Sequence, residues 1–187
     1  MRATTEIHRP DVVGLRLVRF HMVQPITAPR DAVVAAVADP RLYESMDGMP
    51  SLGPPSVIEC KQDGDLTRLR IRYSFNGRLS SAARAVLDPA KMTWVVNLDV
   101  DRMRYQAQFR MLPDHYADRI RCSGFYRFEA TSDTTEQVMD GELAVQALLV
   151  AGAIERAILS GFKEHMVEMA KAVERLAEEP DHESGSR

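Results

Sequence analysis

Residues 152–179, with the sequence GAIERAILSGFKEHMVEMAKAVERLAEE, decide the fold because they form one long amphipathic run after a series of strand-like segments. At 100° per residue, their apolar side chains share one arc of a helix. This arc contains Ala151, Ile154, Ile158, Leu159, Phe162, His165, Met166, Met169, Val173 and Leu176. Such a helix is roughly 40 Å long, which is enough to cross a whole curved sheet. A helix held by a curved sheet tends to enclose a cavity, so the first functional hypothesis is a small apolar ligand.

The composition indicates an ordinary globular protein. Of the 187 residues, 45% are hydrophobic and 27% are charged, and this length favours a single domain. The net charge of −3 gives no basic surface for nucleic acid, so no nucleic-acid partner is predicted. No apolar run approaches the ~20 residues that an integral membrane segment requires. Cys60 and Cys122 have no paired spacing, which predicts reduced thiols and favours a cytoplasmic location.

Polar segments are predicted to flank one folded domain. Residues 1–13 are expected to be a flexible leader, and residues 179–187 a disordered acidic tail. The domain itself would span residues 14–178.

Two short helices are predicted after the first strand, residues 14–26. Pro29 is tolerated in the first turn of a helix, so the first of them covers residues 31–38. The Asp39-Pro40 pair then breaks the chain, and a second short helix follows over residues 41–46.

An antiparallel meander of strands is predicted next. Residues 66–75 alternate most regularly, which indicates one solvated and one buried face. Their inward residues are Leu69, Ile71, Tyr73 and Phe75, and Arg68, Arg70 and Arg72 lie opposite, on a face expected to pair with nearby carboxylates. Residues 80–87 are predicted as a weaker strand. The other inward rows contain Phe20, Met22, Trp94, Tyr105, Phe109, Tyr126 and Phe128.

This order of elements resembles the helix-grip, or START-like, superfamily of polyketide cyclases, lipid-transfer START domains and pollen-allergen ligand binders. The resemblance covers residues 17–176. It rests on the segments ITAP at 26–29, DPRLY at 39–43, and GELAV at 141–145 followed by GAIE at 152–155. The segments at 141–145 and 152–155 are most similar to an uncharacterised, mainly bacterial branch of the superfamily.

The resemblance implies an α+β helix-grip fold, in which a curved antiparallel sheet of about six or seven strands wraps round the long C-terminal helix. It also implies a hydrophobic ligand such as a lipid or polyketide-like molecule. It does not distinguish carriers from cyclases, because both functions occur on this fold.

The sequence contains no motif for metal binding, nucleophilic catalysis or phosphate binding. The five histidines are scattered, without the spacing of a zinc site. Neither a Gly-x-Ser-x-Gly elbow nor a glycine-rich phosphate loop is present. We therefore predict no metal and no cofactor, and the motifs assign no catalytic residue.

The candidate ligand-binding residues are the inward side chains of the strands and of the long helix. They are Phe20, Met22, Tyr73, Phe75, Trp94, Tyr105, Phe109, Tyr126, Phe128, Glu155, Ile158, Phe162, His165 and Met169. Glu155 is either a general base or polar anchor, or a structural acceptor near the helix N-terminus. His165 is either a hydrogen-bonding or proton-donating group in the cavity, or a satisfied buried histidine. The two lie roughly 15 Å apart along the helix, so they cannot form a contacting dyad.

Three hypotheses for function remain open. The first is a non-catalytic carrier of a hydrophobic small molecule. The second is a cyclase, dehydratase or isomerase that uses Glu155, His165 and Tyr105. The third is an interaction module, or homodimer, with a filled core and a surface flanked by Met46, Met49 and Leu52.

Overall fold

The fold is seen in a computed structural model that describes residues 4–8, 11–12, 15–47, 49–79, 81–85, 87–147 and 150–178. The strands in these ranges are β1 (Thr4–His8), β2 (Asp11–Val12), β3 (Leu15–Ile26), β4 (Ser56–Asp63), β5 (Leu66–Ser74), β6 (Thr93–Asp101), β7 (Gln106–Pro113), β8 (Ile120–Ala130) and β9 (Thr135–Val145). The α-helices are α1 (Arg30–Val37), α2 (Pro40–Glu44), α3 (Ser81–Arg84) and α4 (Ala151–Glu178), with a 3₁₀ turn at Pro89–Lys91.

All strands join one antiparallel sheet, in the order β1-β3-β9-β8-β7-β6-β5-β4, and β2 also pairs with β3. Strands β4 to β9 form the predicted meander, and the first long strand, β3, pairs with the last. The seven long strands β3 to β9, the two short helices after β3 and the long helix α4 confirm the predicted helix-grip fold.

The chain between β3 and β4 turns through the two short helices for local reasons. The Asp39 side chain accepts a hydrogen bond from the backbone N–H of Arg41 at 2.9 Å, which caps α2, and Pro40 occupies its first turn. The buried Tyr43 hydroxyl donates to the backbone carbonyl of Val37 at 2.8 Å. This bond fixes α2 against the end of α1.

The two faces of the sheet differ as the alternation predicts. On β5, Leu69, Ile71 and Tyr73 are buried. On the opposite face Arg70 lies 3.2 Å from Glu59, and Arg72 lies 2.5 Å from Asp114. The pairing of these two arginines with carboxylates confirms the prediction of a solvated outer face.

A pair of glycines at the centre of the sheet makes room for two aromatic rings. Gly124 of β8 lies opposite Gly141 of β9. A Cβ atom at Gly124 would overlap the carbonyl oxygen of Asp140, and the rings of Phe109 and Phe20 lie against the two glycines. Both rings then contact Phe162 of α4, with centroid distances of 6.3 and 5.5 Å. Because the two glycines have no side chains, Phe109 and Phe20 can pack between the sheet and Phe162 of α4.

Polar contacts from two turns of α4 hold the helix against the segment between β3 and β4. Glu164 accepts hydrogen bonds from the backbone N–H and the hydroxyl of Ser51, both at 2.9 Å. Further along, Glu174 accepts from the backbone N–H of Thr27 at 2.8 Å, and Arg175 donates to the carbonyl of Ser45 at 3.1 Å. None of the helices described is long and apolar enough to cross a lipid bilayer.

Two predictions about local structure are wrong. Residues 1–13 were expected to be a leader, but β1 and β2 within this range pair with β3. The free edge of β3 explains the difference, because backbone pairing at an edge requires no apolar sequence signal. Residues 80–87 contain the short helix α3 instead of a strand, since both edges of β5 are already occupied by β4 and β6. The predicted tail, residues 179–187, lies outside the described residues.

Candidate ligand-binding site

A cavity of about 100 Å³ lies between α4 and the concave face of the sheet. One wall is a strip of α4 made of Ala157, Ile158, Gly161, Phe162, His165 and Met169. The facing wall comes from the strands and contains Ile71, Tyr73, Trp94, Val96, Leu98, Phe109, Met111, Ile120, Tyr126 and Met139. Tyr43 of α2 and Leu52 of the following loop close one side. The lining is therefore almost entirely apolar or aromatic.

We place the mouth of the cavity at the segments after β5 and at the end of β7, because the exposed residues of the lining lie there. It is lined by Phe75, Lys91, Met92, Thr93, Pro113, His115 and Tyr116. Lys91 and His115 are exposed to solvent. The charged side chain at this site thus lies at its rim and not in its interior.

Aromatic rings form the walls of the interior. Tyr73 stacks on Trp94, with a centroid distance of 6.0 Å and an interplanar angle of 9°. Phe109 lies 5.4 Å from Tyr126 between ring centroids, and it also contacts Phe162. Such rings offer flat apolar surfaces and, at the tyrosines, polar atoms that can orient a ligand.

A buried tyrosine–histidine pair provides the polar part of the lining. The Tyr73 hydroxyl lies 2.9 Å from Nε2 of His165, in hydrogen-bonding contact. Burial lowers the pKa of His165 to about 4, so its imidazole is neutral at neutral pH. Burial, and to a smaller extent the nearby Tyr126, raises the pKa of Tyr73 well above its usual range. The pair is therefore an uncharged hydrogen-bonding group.

The other two buried tyrosines of the lining, Tyr43 and Tyr126, differ in the bonding of their hydroxyls. Tyr43 donates to the carbonyl of Val37, so its hydroxyl is already used. Tyr126 is buried, with 6% of its surface exposed, and burial raises the pKa of its hydroxyl. Within the described ranges, no hydrogen bond from protein reaches the Tyr126 hydroxyl, although it lines the cavity.

The structure brings nine of the predicted site residues together. These are Tyr73, Phe75, Trp94, Phe109, Tyr126, Ile158, Phe162, His165 and Met169. Phe20, Met22 and Phe128 are also buried on the inner side of the sheet, but as a second layer outside the cavity lining. Phe20 packs behind Phe162, and Phe128 stacks on Tyr126 at 6.4 Å.

Glu155 lies away from the cavity lining, although it is buried, with 2% of its surface exposed. At 100° per residue it points about 60° round the helix from Ile158, on the same side as Met166 and Val173. Those two side chains belong to the solid core. The apolar arc of α4 is wider than the cavity, so a position within the arc does not guarantee a place in the lining.

Tyr105 also lies away from the cavity lining. It was predicted as the first inward residue of a strand, but it ends the turn between β6 and β7 and has a φ of 53°. Its ring lies under the guanidinium group of Arg30, with 3.6 Å from the guanidinium carbon to the ring centroid. The tight turn rotates the side chain out of the inward row and towards α1.

Several lining residues were not predicted. Tyr43 belongs to a five-residue helix that is too short for a periodic pattern, and Lys91, Met92, His115 and Tyr116 lie in turns. Leu52, which was expected to flank an interaction surface, also lines the cavity. Among the described residues, no cluster of three or more His, Cys, Asp or Glu side chains is placed to hold a metal ion.

The curved sheet, the long helix across it and the enclosed cavity define a helix-grip protein. Residues 21–176 match the profile of a family described as Protein of unknown function (DUF2505). The match covers most of the chain, so the protein belongs to this family. A search of curated proteins found no match to the sequence.

Solved structures of other proteins share the fold at low sequence identity. The Zhui aromatase/cyclase from Streptomyces sp. R1128 is 16% identical, with a TM-score of 0.60 over 85% of this chain and 94% of that one. Norcoclaurine synthase from Thalictrum flavum is 17% identical, with a TM-score of 0.59 over 92% and 95%. The protein TTHA0849 from Thermus thermophilus is 16% identical, with a TM-score of 0.57 over 84% and 94%. These similarities confirm the predicted helix-grip fold.

Proposed function

We propose that this protein binds a small hydrophobic molecule in the cavity between α4 and the sheet. The observation that carries the proposal is the lining itself, which is apolar and aromatic on every side and has its charged side chain only at the mouth. Pockets of this character bind ligands mainly by removing apolar surface from water, with a few polar groups that set the orientation.

The space between α4 and the sheet supports this proposal over a filled-core interaction module. A core filled by its own side chains would leave no such room, whereas about 100 Å³ lies between apolar and aromatic side chains here.

The volume also bears on the size of the ligand. Pockets for drug-sized molecules usually measure about 300–1,000 Å³, several times the volume found here. A lipid or polyketide-like chain would therefore require the mouth segments to move outward. A molecule with a single ring would require a much smaller widening.

A second candidate function is a cyclase, dehydratase or isomerase reaction in the same cavity, for which the Tyr73–His165 pair would supply the polar group. Two of the three predicted catalytic residues, Glu155 and Tyr105, lie outside the lining. The remaining one, His165, has a pKa of about 4 because it is buried. A general base works best when its pKa is near the operating pH, so this pair is better suited to hydrogen bonding than to proton abstraction.

Native mass spectrometry of the protein purified gently from its own source tests the proposed binding. We expect a reproducible additional mass that is released by denaturing extraction. The variant Ala157→Phe places a ring in the cavity wall and should lose this mass. The variant Ala177→Phe makes the same change on the exposed side of α4 and should retain it.

Two results would count against the proposal. One is a protein that carries no additional mass and binds no apolar compound in solution. The other is an equal loss of the bound mass in the two phenylalanine variants, which would attribute the effect to the helix and not to the cavity.

A further inference from the structure

We infer that the cavity selects an uncharged, single-ring-sized molecule with one hydrogen-bond acceptor, and that the Tyr126 hydroxyl recognises this acceptor. This inference rests on the proposed function and names the class of ligand. A carbonyl or hydroxyl oxygen on an aromatic or saturated ring has the required chemistry.

The absence of charge in the interior excludes an ion as the buried part of the ligand. Within the described ranges, Lys91 is the charged residue that lines the cavity, and it is exposed at the mouth together with His115. His165, deeper in the lining, is neutral. A carboxylate or ammonium group inside would have no opposite charge, and burying an unpaired ion is far more costly than burying a neutral polar group.

The hydroxyl of Tyr126 supplies the donor for the ligand. Buried tyrosine hydroxyls normally have hydrogen-bond partners. Tyr43 and Tyr73 follow this rule through Val37 and His165. Tyr126 lines the same cavity, and its hydroxyl has no hydrogen bond to the described part of the protein. Tyr126 also lies close enough to Tyr73 to contribute to the raised pKa of Tyr73. An acceptor on the ligand would complete this set of hydrogen bonds.

The shape of the cavity limits the apolar part of the molecule. An engineered protein cavity of about 150 Å³ holds benzene, so a cavity of about 100 Å³ must widen by about half to admit a single ring, and larger ring systems would require far more widening. The stacked rings of Tyr73 and Trp94 provide a flat wall for such a ring.

A set of three probes of similar size tests the inference by isothermal titration calorimetry. Acetophenone has a ring and a carbonyl acceptor, ethylbenzene lacks the acceptor, and benzoate carries a charge. Trp94 is the one tryptophan of the chain and lines the cavity, so its emission provides a second measure of binding at the site.

We expect acetophenone to bind about ten-fold more tightly than ethylbenzene, since one hydrogen bond contributes roughly the 1.4 kcal/mol that a factor of ten represents. Benzoate should show no saturable binding at neutral pH. In Tyr126→Phe, the ratio of the acetophenone and ethylbenzene affinities should fall from about ten to about one. Tyr105→Phe removes the same group from a tyrosine outside the cavity, and the ratio should stay at about ten.

Three outcomes overturn the inference while the proposed function stands. The first is equal affinity for acetophenone and ethylbenzene in the unmodified protein. The second is a ratio that Tyr126→Phe does not change. The third is tight binding of benzoate that Lys91→Gln abolishes, which would move recognition from the interior to the mouth. If the protein carries a co-purifying apolar ligand but binds none of the probes, the inference about size and polarity is wrong. If neither probes nor a co-purifying ligand bind, both proposals fall.

Discussion

The buried His165 is expected to make the stability of the protein depend on pH through the mildly acidic range. In the folded protein its pKa is lowered by burial to about 4, against 6.5 for an ordinary histidine. Between these values the unfolded chain binds a proton and the folded protein does not. The free energy of unfolding therefore rises with pH across this window, and stability is lost as the pH falls from 6.5 towards 4.

The magnitude follows from the two pKa values. Each pH unit between 6.5 and about 4 corresponds to about 1.4 kcal/mol, so the full loss is about 3 kcal/mol. This is large compared with the usual stability of a domain. Above pH 6.5 the imidazole is neutral in both states, and His165 adds no pH dependence there.

Urea unfolding followed by far-ultraviolet circular dichroism, between about pH 7.5 and pH 4, measures this effect against the variant His165→Gln. Glutamine can hydrogen-bond to Tyr73 but does not titrate. Other groups contribute to acid sensitivity in both proteins, such as Asp114, whose pKa is held below its ordinary value by the hydrogen bond from Thr93 and by Arg72. The difference between the two proteins isolates His165, and it should grow to about 3 kcal/mol at the acidic end. Parallel loss of stability in the two proteins would refute the reasoning.

Four further substitutions test the packing and the polar contacts that hold α4 and the sheet together. Gly124→Ala should lower the free energy of unfolding by at least about 3 kcal/mol in urea titrations, because the added Cβ would overlap the backbone of β9; a loss under about 1 kcal/mol would contradict the close approach. Gly161→Ala should raise the free energy of unfolding by about 0.5–1 kcal/mol, because alanine favours a helix interior over glycine. The new Cβ would lie 3.7 Å from Leu52, which is an ordinary contact. A lower melting temperature would show that no space for a methyl group exists beside Leu52. Glu164→Gln should lower the free energy of unfolding by about 1–2 kcal/mol, because it weakens the hydrogen bonds from Ser51. Ser51→Ala removes only the bond from the hydroxyl and should lower it by less. An equal loss in the two variants would mean that the bond from the Ser51 backbone N–H contributes nothing.

The order and type of the long elements could be predicted from the sequence because each carries its own periodic signal. The alternation of apolar and arginine residues on β5 and the 100° arc of α4 both report burial directly. Tyr73, Phe109, Phe162 and His165 were placed in the lining for this reason, and the structure brings them together.

The details that were not predicted depend on contacts between distant segments or on single turns. The distance from Tyr73 to His165, 92 residues apart in the chain, has no counterpart in a local pattern. Tyr105 continues the strand period by sequence, but its positive φ in the hairpin turns it away. Glu155 satisfies the helical period as well as Ile158 does, and only the position of the sheet decides which of them faces the cavity.

The pairing of β3 with β9 determines when this protein can complete its fold. The bond between His21 and Asp140 joins residues 119 apart, and the contact between Thr27 and Glu174 joins residues 147 apart. Closing loops of this length is slow relative to local hairpin formation. During synthesis, the meander β4 to β8 can therefore form while its concave face still lacks α4. That face holds Ile71, Trp94 and Phe109, so a nascent chain paused before residue 151 presents apolar surface to chaperones and to other chains.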